Sequence, residues 1–238
     1  MERVRRRSIA VSLLLTAQPR RALAVTLGVT AAAATSGRTG AECLLVAITV
    51  LVGQATVGWV NDLVDRKVDT EVGRLDKPLA RGWLEPGTVR FAAACGVLLV
   101  VPLSIDNGTE AGIAHLGAVA SGWLFNVWFR RSALSWLPFA VSFGLLPAFL
   151  SYGGLGGGLH GGPPTLPITV LAALLGIGVH FAQELPRLVD HNRTGRRTLP
   201  LRVALRVGAP RLLWLTTAYL VVVSAAIVGT AITVGLRH

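Results

Sequence analysis

The sequence predicts an all-α, polytopic membrane protein, and three observations carry that fold class. The 238 residues are 52% hydrophobic and only 15% charged, with a mean hydropathy of +0.59. That is too apolar for an ordinary soluble domain. Apolar stretches long enough to cross a bilayer recur along the whole chain. The basic residues gather in the segments between those stretches, which is how a membrane protein sets its orientation. The net charge of +11 therefore reads as topology, and no nucleic-acid partner is expected.

The chain opens MERVRRRSIAVSLLLTAQPRRALAV, basic residues followed by a short apolar stretch. Gln18-Pro19-Arg20-Arg21 is a poor cleavage region. Residues 1–21 therefore read as an interfacial segment on the cytoplasmic face. Seven spans follow, over 22–37, 42–62, 89–105, 112–129, 137–152, 166–186 and 210–235, counted at about 20 residues per crossing. They form a single domain, 1–238, arranged as a helix bundle around a central cavity.

One side of this arrangement receives the N-terminus and the loops after spans two, four and six. All but Arg38 and Arg237 of the 23 lysines and arginines fall there, including Arg3, Arg5, Arg6, Arg7 and Arg196. The split predicts a cytoplasmic N-terminus and an outer C-terminus. The outer loops, ATSGRTGAE, SIDNGTEAG and SYGGLGGGLHGGPPTLP, are small and polar. The last reads as a flexible connector, with His160 solvated. Cys43 and Cys95 lie at apolar runs with no metal-ligand spacing and read as small buried residues.

Polarity concentrates on the inner side. In GWVNDLVDRKVD, residues Asn61, Asp65 and Asp69 are spaced i, i+4, i+8 and share one helical stripe, with Asp62 beside it. Five of the twelve acids fall between Asp62 and Asp76. Carboxylates at the end of a membrane helix need a cationic partner. Lys67, Arg74, Lys77 and Arg81 offer plain ion pairing. Mg²⁺ carrying a diphosphate is the other answer, with carboxylates on the metal and basic side chains on the phosphate oxygens.

NDLVDRKVD reproduces an N-D-x-x-D-x-x-x-D signature, and RLDKPLARG continues it. In these residues the chain resembles the UbiA-type intramembrane prenyltransferases, over essentially its whole length. The resemblance implies a second acidic motif after the sixth span, and HFAQELPRLVDHNRTGRRTLP occupies that place. Its Gly195-x-x-Thr198-Leu199-Pro200 end fits, but the acids differ. Gln183 and Glu184 stand where the family has Asn and Asp. Arg187 and His191 stand where it has two aspartates, and Asp190 is one residue out of register. The family also has nine spans to the seven counted here. Either the cavity is open to lipid there, or a partner subunit, such as a second copy in a homo-oligomer, fills the gap.

What the resemblance implies is Mg²⁺-dependent transfer of a prenyl group from its diphosphate to an aromatic or other lipophilic acceptor inside the membrane. Asp62, Asp65 and Asp69 would hold the metal, with Asn61 supporting. Lys77, Arg81 and Arg187 would hold the diphosphate, and Glu184 or Asp190 would be the remaining ligand of the second motif. Asn126 is a further substrate-side candidate, since an amide inside a span needs a partner. Trp123, Trp128, Arg130 and Arg131 read as an aromatic belt and topology loop, and His180 as a helix-packing group. Three other readings are a terpene cyclase of the same family, a non-catalytic prenyl-diphosphate binder on a relic fold, and a small transporter. The last is weakened because no inverted repeat or broken helix is visible.

Overall fold

A computed structural model describes residues 8–74, 76–154, 162–195 and 197–234. Arg3, Arg5, Arg6, Arg7, His160, Arg196 and Arg237 lie outside the described residues, as does the C-terminal end. Helix is the only regular secondary structure among the described residues. In order come α1 (Ile9–Thr16), α2 (Pro19–Thr35), α3 (Gly40–Glu71), α4 (Pro86–Asp106) and α5 (Thr109–Val127). Then follow α6 (Leu137–Gly144), α7 (Leu146–Ser151), α8 (Leu166–Glu184), α9 (Leu188–Arg193), α10 (Leu199–Val207) and α11 (Ala209–Val234).

Each of the seven counted spans falls mainly on helix among the described residues. By length and composition, four segments can cross a membrane: Gly40–Glu71, Pro86–Asp106, Leu166–Arg193 and Ala209–Ile232. The other three fall short of that standard. α2 has 17 residues, Leu137–Ser151 is shorter, and α5 carries Glu110, His115 and Asn126 among its 19. The fifth counted span is also broken into α6 and α7, where Pro147 sits in the first turn of α7 and has no N–H to continue the ladder.

α3 positions the site. A capping box starts it: the Thr39 hydroxyl accepts from the Glu42 N–H, and the Glu42 carboxylate accepts from the Thr39 N–H at 2.8 Å. Its 32 residues make it about 48 Å long at 1.5 Å per residue, against roughly 30 Å of hydrocarbon. The last turns therefore carry the aspartates beyond the apolar layer on one continuous helix.

α2 packs on α3, α3 on α4 and α5, α5 on α6 and α7, α6 on α8, and α8 on α11. Small residues allow close approach. A Cβ at Gly58 would lie 2.5 Å from the Ala17 carbonyl oxygen, so the α1–α2 corner seats directly on α3. The Trp59 indole donates to the Leu13 carbonyl at 3.1 Å, while Ile9 and Leu14 stay exposed. The N-terminal segment is thus docked on the bundle as well as apolar on its outer face. At the opposite end Arg38 is buried and donates to the Phe149 and Leu150 carbonyls at 3.2 and 2.8 Å, which satisfies the end of α7.

Candidate functional site

The stripe on α3 faces inward. Asn61, Asp62, Asp65 and Asp69 are 2%, 1%, 6% and 8% exposed. Buried carboxylates persist only with partners, and each has one. Lys77 pairs with Asp62, and Arg130 pairs with Asp65. Arg74 lies 4.0 Å from Asp69 and 3.3 Å from Asp190. The Asp62 Oδ2 atom is buried and makes no hydrogen bond among the described residues.

Three of these neighbours are absent from the sequence-based site. Gln18 adopts φ 55°, the only positive φ at a non-glycine among the described residues. That backbone turns its side chain onto the motif: the amide donates to Asp62 Oδ1 at 3.1 Å and lies beside the Asn61 side chain. Arg130, read above as a topology residue, is 4% exposed and sits in the 3₁₀ turn Phe129–Arg131 that closes α5. Arg74, named above only as a pairing cation, joins the two motifs. Arg130 follows Asn126 by four residues, the one local hint that both reach the same place. With its amide oxygen turned toward Arg130, Asn61 accepts from both guanidinium nitrogens, at 2.6 and 3.2 Å.

Asn126 is buried behind Asn61. The two amides lie 3.0 Å apart, and Asn126 also donates to the Val57 carbonyl at 3.1 Å. It supports the stripe and lines neither of the cavities described next. His180 is fully buried, lies 3.0 Å from the Ser135 hydroxyl and packs against Phe125 and Phe139. It has the surroundings of a packing group.

The second motif is divided. Asp190, His191 and Arg187 meet Asn61, Asp65 and Asp69 around one small pocket. Glu184, expected there as a ligand, is 3% exposed and faces His191 Nδ1 at 3.0 Å instead. Of the two acids of this motif, only Asp190 borders the pocket.

Beside the pocket opens a cavity of about 1260 Å³. Its walls are apolar, with Val25 and Val29 on α2, Leu146 on α7, and Ile168, Leu175 and Val179 on α8. Arg20, Arg21 and Arg81 also line it, and the Arg81 guanidinium lies over the Trp83 ring at 4.5 Å. Arg74, Lys77 and Arg187 border both the cavity and the carboxylate pocket. The result is a long apolar chamber with a cationic rim, adjoining a floor of carboxylates.

The donor chemistry suits Mg²⁺, which prefers a few carboxylate oxygens and completes its shell with water and phosphate. Asp65, Asp69 and Asp190 present such oxygens to the pocket, whereas Asp62, 1% exposed, lies behind them and borders neither the pocket nor the cavity. Among the described residues no three acid, histidine or cysteine side chains form a ready metal cage. The aspartates run along one stripe, so oxygens from a ligand must supply the rest. The residues fit the metal in kind, as a one-sided platform.

The profile of the UbiA prenyltransferase family matches residues 22–237. A protoheme IX farnesyltransferase from Geotalea uraniireducens is 27% identical over 165 residues, which are 67% of this chain and 62% of that protein. Another from Saccharophagus degradans is 28% identical over 116 residues, 48% of this chain and 38% of that one. The chain thus spans less than two thirds of the length of these curated relatives. A UbiA homolog from Archaeoglobus fulgidus, solved bound to GPP and Mg²⁺, matches with a TM-score of 0.71 at 16% identity, covering 90% of this chain and 76% of that one. Its structure bound to DMAPP and Mg²⁺ gives 0.70 at 17%, covering 91% and 77%. At that identity the likeness is one of fold.

Proposed function

Since the chain belongs to the UbiA prenyltransferase family, we propose that it transfers a prenyl group from a prenyl diphosphate to a lipophilic acceptor within the membrane. The observation that carries this reading is the shared rim. Arg74, Lys77 and Arg187 stand where an apolar chamber meets a carboxylate pocket, which suits a molecule that is half lipid and half anion. The prenyl chain lies along Val25, Val29 and Leu175. The diphosphate sits at the rim, with Arg187 and Lys77 as its donors and Arg81 at the edge.

The C1–O bond of the donor breaks as the acceptor attacks C1, and negative charge grows on the leaving diphosphate. Cations already in place there stabilise that charge without reorganising. Apolar walls keep water from the electrophilic carbon. Asp65 and Asp69 would hold Mg²⁺, which supplies Lewis-acid neutralisation of the leaving group when bound, and Asp62 would join them once Lys77 leaves it. Asn61, backed by Asn126, keeps the stripe in register, and Asp190 faces it across Arg74. Lys77 then has two alternatives, Asp62 or phosphate, and exchanges one for the other on binding. The basic face that carries this site is the cytoplasmic one.

The names of the two curated relatives make farnesyl diphosphate and protohaem the first donor and acceptor to try. The test is product formation by purified protein in detergent, with and without Mg²⁺, and in Asp65→Asn. A Mg²⁺-dependent product absent in the variant supports the reading. One observation favours a second reading, a prenyl-diphosphate binder without turnover: each motif carboxylate already has a protein cation. Tight binding with no product under any condition would select it.

A further inference from the structure

Two of the segments able to cross a membrane, Leu166–Arg193 and Ala209–Ile232, are joined through α10, and only Gly208 separates α10 from α11. Both ends of that connection leave the bundle at one membrane surface, so α10 lies at that surface. Leu213 and Trp214, one turn into α11, are exposed, and a tryptophan at the start of a span sits at headgroup level. α10 is therefore at the depth of lipid headgroups, on the basic side of the protein.

The helix is amphipathic. Leu201 is buried with Leu188 and Leu212, and Val203, Ala204 and Val207 pack against that cluster. Arg202, Leu205 and Arg206 are exposed on the other side. With Arg197 they border a cleft of about 500 Å³ that no acid lines. The Arg202 Nε donates to the Arg197 carbonyl at 3.3 Å, which ties its guanidinium to the start of the helix. No ion pair among the described residues involves these three arginines. Like charges one turn apart, as Arg202 and Arg206 are, destabilise a helix, and an anion between them removes that cost.

We propose that this cleft binds the headgroup phosphate of an anionic phospholipid from the leaflet on the basic side. Arg197, Arg202 and Arg206 meet the phosphate oxygens, which guanidinium forks match by paired hydrogen bonds. Leu205, 68% exposed, meets the start of the acyl chains. Free diphosphate is a second source of the same chemistry, because His191 borders both this cleft and the carboxylate pocket. The depth of α10 and its exposed leucine favour the lipid, since a small soluble anion gains nothing from an apolar side chain. The proposal stands apart from the prenyl-transfer reading and survives if that reading fails.

The test titrates phosphatidylglycerol and phosphatidylcholine into the full chain in detergent and counts bound lipid by native mass spectrometry. Phosphatidylglycerol should bind at least about tenfold tighter than phosphatidylcholine. Arg202→Gln and Arg206→Gln should each weaken phosphatidylglycerol about fivefold, the scale of one basic residue at an anionic surface, and leave phosphatidylcholine unchanged. Arg90→Gln is the control. Arg90 is exposed near the start of α4, on the same basic side, and does not border the cleft, so its loss should change neither lipid. Equal binding of the two lipids to the unaltered chain overturns the proposal, and that arm needs no variant to fold. So does an equal loss of phosphatidylglycerol in Arg90→Gln, which would assign the effect to general surface charge. Displacement of phosphatidylglycerol by inorganic diphosphate, beyond that by chloride at equal ionic strength, also overturns it and assigns the cleft to the soluble anion.

Discussion

Arg74 Nη2 lies 3.3 Å from Asp190 Oδ2, and that contact ties the end of the first motif to the second across 116 positions of sequence. The same guanidinium is 4.0 Å from Asp69. Both partners of the Asp190 pair are partly exposed, so the pair adds no more than about 1 kcal/mol to stability. Its importance lies in the rim. Arg74→Gln should leave the melting temperature nearly unchanged and weaken prenyl diphosphate binding about tenfold. Thermal melting and equilibrium binding on one preparation check both halves.

Arg130 and Asp65 form the opposite kind of pair, with both side chains almost fully buried. Removing one partner strands a buried charge, at about 3–5 kcal/mol. Arg130→Met should therefore unfold far more readily than the unaltered chain. Arg130→Met combined with Asp65→Asn should recover part of the loss, because the stranded carboxylate is gone. If the double variant is no more stable than the single one, the pair is not the cause.

Gln18 separates backbone from side chain. Its φ of 55° costs a non-glycine residue roughly 1–2 kcal/mol. Gln18→Gly relieves that strain and loses the amide that donates to Asp62. Gln18→Ala keeps the strain and loses the amide as well. Gly should melt higher than Ala, and both should lose prenyl transfer to the same extent. Activity retained in either variant would remove Gln18 from the site.

Much of this arrangement is legible in the sequence. The i, i+4, i+8 stripe of Asn61, Asp65 and Asp69 predicts one helical face, and all three residues are buried on it. The apolar runs locate the helices because burial in lipid demands them. What escapes are partners brought together only by folding. Gln18 reaches Asp62 over 44 positions, from a stretch whose composition reads as interfacial. Arg130 looks identical to a topology arginine until α5 delivers it to Asp65. The α6–α7 break follows from Pro147, but Pro19, Pro86 and Pro167 begin helices, so a proline alone does not say which. Glu184 occupies an acidic position of the motif, yet the neighbouring His191 turns it away from the pocket.

Gly58 tests whether the α1–α2 corner must sit against the motif helix. A Cβ there meets the Ala17 backbone carbonyl at 2.5 Å, and backbone has little room to give. Gly58→Ala should cost about 1–3 kcal/mol and reduce activity beyond that by shifting Gln18 from Asp62. Gly28→Ala, which meets nothing within 4 Å, is the control and should melt within a degree or two of the unaltered chain. Comparable losses in both would mean that helix substitution itself, and not the corner, is being read.

The central claim is that the carboxylate stripe and its cationic rim act on a prenyl diphosphate. It is tested most directly by mass spectrometry of the acceptor after incubation with farnesyl diphosphate, protohaem and the purified chain. The account predicts an acceptor heavier by one prenyl-derived group, formed only with Mg²⁺ and lost in Asp65→Asn. Unmodified acceptor in the presence of bound farnesyl diphosphate, or product that persists in Asp65→Asn, would contradict it.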